Sequence, residues 1–142
     1  MIYFNRIKQL FMDQPDFRLF VGPEELLAET LLLGGNGGVC GGANLFPQLY
    51  VKLYNSSQEG DLKKMKKLHE KVMQISTTIF SVGKHKSSFI KGLKCSLNLI
   101  GICDDYMAEP FHRFRKTERN IIRKYLINID AEIQGISNNI LH

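Results

Sequence analysis

Long apolar runs are missing from this sequence of 142 residues, and cysteine is scarce. No uninterrupted apolar stretch approaches the roughly 20 residues of a membrane-spanning helix, so we expect no membrane partner. The three cysteines, Cys40, Cys95 and Cys103, are an odd number without metal-ligand spacing. This favours reduced thiols in a cytoplasmic protein and no metal site. The opening residues, MIYFNRIKQLF, also lack the basic-then-apolar order of a secretion signal.

The chain carries a net charge of +5, which raises the question of a nucleic-acid partner. Its densest lysine cluster lies in the segment DLKKMKKLHEKVMQISTTIF, where apolar residues recur at spacings of three and four. That pattern is typical of an amphipathic helix whose lysines lie on the solvated face. No aromatic residues alternate with these lysines, as a single-strand stacking surface would require. We therefore expect no nucleic-acid partner.

The segment 17–44, FRLFVGPEELLAETLLLGGNGGVCGGAN, has the pattern strand, glycine, helix, glycine-rich turn and strand. Pro23 suits the first turn of a helix, and two carboxylates follow it where a helix N-terminus favours negative charge. Two strands joined by one helix make a parallel βαβ unit. We expect residues 17–22 and 37–41 to be adjacent parallel strands. Glycine follows both strands, at the edge where parallel α/β folds place their chemistry.

Helices are predicted on both sides of this unit. Asp61 is a natural N-cap for the lysine-rich helix, which we expect to end at Gly83. The residues after Asp130 are polar and predict a frayed tail. Two parallel strands cannot form an independent sheet, so the pattern indicates part of a larger barrel or sheet. The other predicted helices lie near residues 2–11, 47–55, 87–101 and 117–129.

The segments GPEELLAETLLLGGNGGVCGGANLFP, GDLKKMKKLHEKV, FIKGLKCSLNLIGI and AEPF, in this order, resemble the dihydrodipicolinate synthase and N-acetylneuraminate lyase family. The resemblance covers about residues 2–127. It implies an α/β fold class: the C-terminal part of a TIM (β/α)8 barrel, with the last two βα units, plus a C-terminal helical bundle. On this interpretation residues 1–57 are partial barrel, 58–130 are the bundle and 131–142 are a tail.

Members of this family condense or cleave pyruvate through a lysine Schiff base. The resemblance implies pyruvate or another 2-oxo acid as substrate, no cofactor, and a homo-oligomer for the full-length protein. A TIM barrel needs about 200 to 250 residues. The family segments that carry the Schiff-base lysine and the catalytic tyrosine have no counterpart here. We therefore expect a fragment without catalytic residues that is inactive alone, and neither Lys91 nor Lys94 matches the family nucleophile.

The resemblance also suggests substrate-binding positions, and each has a structural alternative. Gly22 matches a glycine whose backbone faces the substrate, but it also suits a plain strand-to-helix turn. Glu24 and Glu25 match an acidic pair that contacts sugar hydroxyls in the lyase branch, or they are only helix N-terminal charges. Val39 matches a position whose carbonyl lies near the pyruvate-derived atoms, or it is a core strand residue. Gly41 stands where the lyase branch often has serine.

Two functions of different classes follow, and a basic nucleic-acid binder, which would bind DNA or RNA in a strongly salt-dependent way, ranks behind both. The first is part of a Schiff-base-forming, pyruvate-dependent aldolase or lyase. The second is a non-catalytic interaction module that pairs with a full-length subunit or with a missing barrel half. Treating the chain with pyruvate and borohydride separates them, because only a competent lysine forms a covalent adduct.

Overall fold

The computed structural model describes residues 1–11 and 13–138 of the chain. Helices dominate it, and one pair of short parallel strands is present in the described residues. The elements are α1 Ile2–Leu10, β1 Phe20–Val21, α2 Leu27–Leu32, β2 Gly37–Gly38, α3 Pro47–Gln58, α4 Leu62–Thr77, α5 Ser88–Leu99 and α6 Lys116–Asn138.

The two strands pair in parallel, with Phe20 opposite Gly37 and Val21 opposite Gly38. Backbone pairing extends beyond them, because the N–H of Asn36 donates to the carbonyl of Leu19 with an N–O distance of 2.8 Å. The predicted parallel arrangement is confirmed, although the regular strands are shorter than the predicted 17–22 and 37–41. Gly37, the first residue of β2, has a φ of +150°, a backbone conformation that residues with a side chain rarely adopt.

A single apolar core joins α2, α3, α4, α5 and α6. Its most deeply buried side chains follow the three-to-four spacing seen in the sequence. They include Leu53 from α3, Val72 and Ile75 from α4, Ile79 after it, and Ile122 from α6. The lysines of α4 lie largely outside this stripe, as the amphipathic pattern predicts.

Helix α4 begins as predicted but ends early. The Asp61 carboxylate accepts a hydrogen bond from the N–H of Lys64 at 2.9 Å, which confirms the N-cap. The helix then ends at Thr77 and a short 3-10 turn follows, whereas the sequence predicted a helix to Gly83. The hydroxyls of Thr77 and Thr78 donate back to carbonyls of the preceding turn, a competition that weakens a helix.

Helix α6 is longer than predicted. It continues to Asn138, so a frayed tail from residue 131 is wrong for its described part, and residues 139–142 lie outside the described residues. Two contacts stabilise the extension. Ile133 packs against the core one turn after the buried Ile129. The ammonium of Lys71 in α4 forms an ion pair with Glu132.

Candidate functional site

The loop that follows β1 brings a glycine, a proline and two glutamates to the carboxyl end of the strand. Gly22 is exposed, and a Cβ placed there would meet nothing within 4 Å. Pro23 has a φ of −63°, the value its ring imposes, and it precedes a 3-10 turn at Glu24–Leu26 that leads into α2. The chain therefore turns sharply from strand to helix here and leaves the Gly22 backbone open.

Glu24 points into the protein and not into solvent. Only 2% of its surface is exposed. Its Oε1 accepts hydrogen bonds from the N–H of Gly42 at 3.2 Å and from the hydroxyl of Tyr50 at 3.4 Å. Burial raises the pKa of the Glu24 carboxyl, and the Gly42 N–H partly opposes that rise. Glu24 thus connects the loop after β1 to the loop after β2.

Glu25 lies beside Glu24 but makes a different contact. It is half-buried, and its carboxylate accepts a hydrogen bond from the hydroxyl of Ser76 in α4. This bond ties the loop after β1 to the long helix. The two predicted acidic positions are therefore separated by the fold, one turned toward the second loop and one toward α4.

The loop that follows β2 contains the other predicted positions. The N–H of Val39 donates to the carbonyl of Val21 at 2.8 Å, yet the side chain of Val39 is 78% exposed. Within the described residues, the Val39 side chain therefore does not belong to the apolar core. Gly41 is half-buried, and a Cβ there would lie 2.5 Å from the ring of Phe89 in α5. Gly41 therefore allows α5 to approach this loop closely.

Two residues near Glu24 were not among the predicted site positions. The Cys40 thiol is buried, and burial together with the charges of Glu24 and Glu25 raises its pKa to about 11. Burial and Glu24 also raise the pKa of the Tyr50 phenol. The sequence does indicate that Tyr50 faces inward on α3, but the target of its hydroxyl depends on a contact 26 residues away.

A cleft of about 340 Å³ opens beside β2 and α3. Its wall includes Phe20, Gly38, Cys40, Tyr50 and Tyr54. Phe20 is 53% exposed, which is unusual for a phenylalanine in a paired strand. The cluster formed by Glu24, Gly42 and Tyr50 adjoins this cleft. Tyr50 belongs to the cluster and lines the cleft, and Cys40, which lies near Glu24, lines the cleft as well.

The described residues provide little for metal binding or membrane insertion. In residues 1–11 and 13–138, no three His, Cys, Asp or Glu side chains lie close enough together to hold a metal ion. In the same described part, no helix is both long and apolar enough to span a bilayer.

Comparison with known proteins gives a consistent family. Residues 3–129 match the model of the dihydrodipicolinate synthetase family. A probable 2-dehydro-3-deoxy-D-pentonate aldolase of Escherichia coli K12 is 33% identical over 107 residues, which are 75% of this chain and 33% of that protein. A 4-hydroxy-tetrahydrodipicolinate synthase of Methanopyrus kandleri is 25% identical over 131 residues, covering 91% of this chain and 42% of the relative.

Solved structures show the same relationship. The dihydrodipicolinate synthase of Bacteroides thetaiotaomicron superposes with a TM-score of 0.87 and 55% identity, covering 89% of this chain and 43% of that one. An N-acetylneuraminate lyase of Fusobacterium nucleatum has a TM-score of 0.75 at 17% identity, which shows a shared fold alone. The chain spans about a third to under half of the length of these relatives. It has an α/β fold and belongs to the dihydrodipicolinate synthetase family.

Proposed function

We propose that this chain forms part of a class I, pyruvate-dependent aldolase or lyase of the dihydrodipicolinate synthase or N-acetylneuraminate lyase type. The observation that carries the proposal is the pair of loops after β1 and β2, which lie together at the carboxyl ends of two paired parallel strands. Parallel α/β folds place catalytic and binding groups at this edge. The family membership supports the same assignment.

In such an enzyme a lysine amine attacks the 2-oxo group of pyruvate and expels water to form an iminium. The iminium withdraws electrons, so that a carbon–carbon bond to the pyruvate unit can form or break. This chemistry requires no metal or organic cofactor. We propose that the lysine and the catalytic tyrosine come from barrel segments outside this chain, and that the complete enzyme is a homo-oligomer.

The residues of this chain then form part of the substrate rim. Gly22 offers open backbone, Gly41 contributes the backbone of the second loop where α5 approaches it, and Val39 offers its carbonyl beside the pyruvate-derived atoms. Glu24 has a positioning role, since its carboxylate is directed to Gly42. Glu25 remains a candidate contact for hydroxyls of the second substrate, although its bond to Ser76 favours a structural role. Position 41 is glycine, whereas the lyase branch often has serine there, and this difference argues against sialic acid as the substrate.

A chimera tests this function directly. The chain would replace the aligned 43% of the Bacteroides thetaiotaomicron dihydrodipicolinate synthase, to which it is 55% identical. Both the chimera and the chain alone would be treated with pyruvate and borohydride and then weighed by mass spectrometry. We expect one pyruvyl adduct in the chimera and none in the chain alone.

Two outcomes would contradict the proposal. A pyruvyl adduct on Lys91 or Lys94 of the chain alone would show a nucleophile within these residues. Lys91 lies 5.9 Å from the centre of the Phe114 ring, among residues outside the two loops. A folded chimera that forms no adduct would show that the loops of this chain do not complete a pyruvate site.

The exposed apolar groups beside the cleft favour a second candidate function. Phe20 is 53% exposed and Val39 is 78% exposed, and both belong to the paired strands or their ends. A non-catalytic module that pairs with a full-length subunit, or with a barrel half, would cover them. Mixing the chain with the intact Bacteroides thetaiotaomicron protein and measuring the mass of the complex tests this. Co-elution that Val39→Asp abolishes would support pairing, and separate elution would exclude it for this partner.

A further inference from the structure

A cavity of about 290 Å³ lies between the loop that precedes α5 and the segment that leads into α6. Four of its lining residues carry permanent positive charge: Lys84, Lys91, Arg113 and Arg115. One lining carboxylate, Glu118, opposes them. None of these residues belongs to the loops after β1 and β2, so the cavity is separate from the site proposed above.

The N-terminus of α5 adds to the positive potential of this cavity. The 12-residue helix begins at Ser88, and both Ser87 and Ser88 line the cavity. No side chain caps this end, and no acidic residue occupies its first turn. Helix α4 differs, because Asp61 caps it. The N–H of Ser88 donates to the carbonyl of His85 at 2.9 Å, so this end of α5 contributes the positive end of its helix dipole, which favours an anion.

Two of the cations make contacts with other side chains. The ammonium of Lys91 lies 5.9 Å from the centre of the Phe114 ring, and that ring is buried. The guanidinium of Arg113 lies 3.7 Å from the carboxylate of Asp105. Among the described residues, Lys84 and Arg115 take part in no ion pair. Within the described part of the chain, no carboxylate forms an ion pair with Lys84, Lys91 or Arg115.

Glu118 does not remove this excess. Its Oε2 is out of contact with solvent and accepts no hydrogen bond within the described chain. The Glu118 carboxylate lowers the positive potential of the cavity, but among the described residues it forms no ion pair with the cations. Arg113 is already paired with Asp105, so Lys84, Lys91 and Arg115 face the single lining carboxylate of Glu118, and the cavity keeps an excess of positive charge.

We propose that this cavity binds the phosphate group of a small phosphorylated molecule. Arginine presents several donors in a planar fork that matches phosphate oxygens, and lysine supplies a further point charge. The volume suits a phosphate with a short carbon chain, since it falls at the lower limit of small-molecule sites. Ser87 and Ser88, at the start of α5, line the same cavity, where the positive end of the helix dipole favours the phosphate.

Calorimetric titration of the 142-residue chain in a fixed chloride buffer tests the proposal with three probes: inorganic phosphate, glycerol 3-phosphate and pyruvate. We expect both phosphates to bind at one site and pyruvate, with its single carboxylate, to bind at least tenfold more weakly. Tighter binding of glycerol 3-phosphate than of inorganic phosphate would show that the carbon chain contributes, and equal binding would assign the site to phosphate itself. Absence of binding by both phosphates would overturn the proposal.

Variants connect binding to the cavity. Arg115→Gln and Lys91→Met each remove one cation, and we expect each to weaken phosphate binding about tenfold. Glu118→Gln removes the opposing charge and should tighten binding severalfold, an effect that a loss of folding cannot imitate. Lys63→Met, on the exposed face of α4, is the matched control and should change affinity by less than about twofold.

Two results would refute the assignment. One is an equal loss with Lys63→Met, which would indicate general attraction of anions to a basic protein. The other is weaker binding in Glu118→Gln, which would mean that the carboxylate assists the ligand or the fold. Thermal unfolding followed by circular dichroism confirms that each variant is folded before it is titrated.

Discussion

The Glu24 carboxylate accepts a hydrogen bond from the backbone N–H of Gly42 at 3.2 Å, across 18 positions of sequence. This bond joins the loops that follow the two parallel strands. Because Glu24 is buried, the bond also fixes the path of a backbone that has glycine at both 41 and 42. An acidic residue at the start of a helix thus sets the shape of a neighbouring loop.

The raised pKa of Glu24 predicts a pH effect on stability. In the folded chain this carboxyl holds its proton to a higher pH than the ordinary value of 4.5. The folded state therefore binds more protons than the unfolded state between these two pKa values, and stability falls as pH rises through that interval. Glu24→Gln keeps an acceptor for Gly42 but cannot ionise, so this part of the decline should disappear.

Urea unfolding of both proteins between pH 4 and pH 8 measures the effect. The difference in unfolding free energy between Glu24→Gln and the parent should increase with pH and then become constant. Glu24→Ala serves as the comparison, because it also removes the acceptor and should be less stable than Glu24→Gln at every pH. A constant difference between Glu24→Gln and the parent would show that the Glu24 pKa is unshifted.

Thiol reactivity is predicted to differ among the three cysteines. Cys40 and Cys95 are buried and Cys103 is exposed. With a pKa of about 11, roughly one Cys40 in a thousand is a thiolate at pH 8, and its burial blocks access further. Burial likewise raises the pKa of Cys95. Labelling with a chromogenic disulfide should give one fast equivalent, which Cys103→Ser removes. Fast labelling of Cys40 in the folded chain would contradict the structure.

Local sequence signals predicted those parts of the fold that depend on neighbouring residues. Asp61 is a good N-cap wherever a helix follows it, and the cap is present. The apolar segments on each side of α2 predicted a parallel pair, and Phe20 and Val21 do pair with Gly37 and Gly38. In both cases the decisive residues lie close together in the sequence or repeat with a regular spacing.

Structural features that depend on contacts between distant residues could not be predicted from the local sequence. Polar residues after Asp130 predicted a tail, but Lys71 of α4 pairs with Glu132 and extends α6. Glu24 has the pattern of a solvated helix charge, and only the approach of Tyr50 and Gly42 reveals that it is buried. The cationic cavity likewise combines residues from α5 and from the segment before α6, which no single stretch of sequence displays.

The Asp61 cap should make a measurable contribution to stability. Its carboxylate accepts the Lys64 N–H, which has no partner inside the helix, so Asp61→Ala should lower the unfolding free energy by about 1 kcal/mol. Asp61→Asn retains an acceptor and should recover most of the loss. Asp16→Ala, at an exposed turn, is the control and should change stability by less than about 0.5 kcal/mol. Equal losses for both alanine variants would exclude a specific capping effect.

Two glycine substitutions separate a packing role from a substrate role. A Cβ at position 42 would lie 2.1 Å from the Tyr50 hydroxyl and 2.9 Å from Glu24 Oε1, so Gly42→Ala should destabilise the chain by about 1–3 kcal/mol. A Cβ at position 22 would meet nothing within 4 Å, and Gly22 lacks a positive φ, so Gly22→Ala should leave stability within about 0.5 kcal/mol.

In the chimera with the Bacteroides thetaiotaomicron barrel segment, Gly22→Ala should also affect catalysis. Gly22 has open space above its backbone, which is where the proposed function places substrate. An added methyl group would occupy that space, so Gly22→Ala should weaken substrate binding and raise KM severalfold in a fully folded protein. Unchanged kinetics in folded Gly22→Ala would show that the added methyl group displaces no substrate. Gly22 would then lie outside the substrate rim and would serve only the turn from strand to helix.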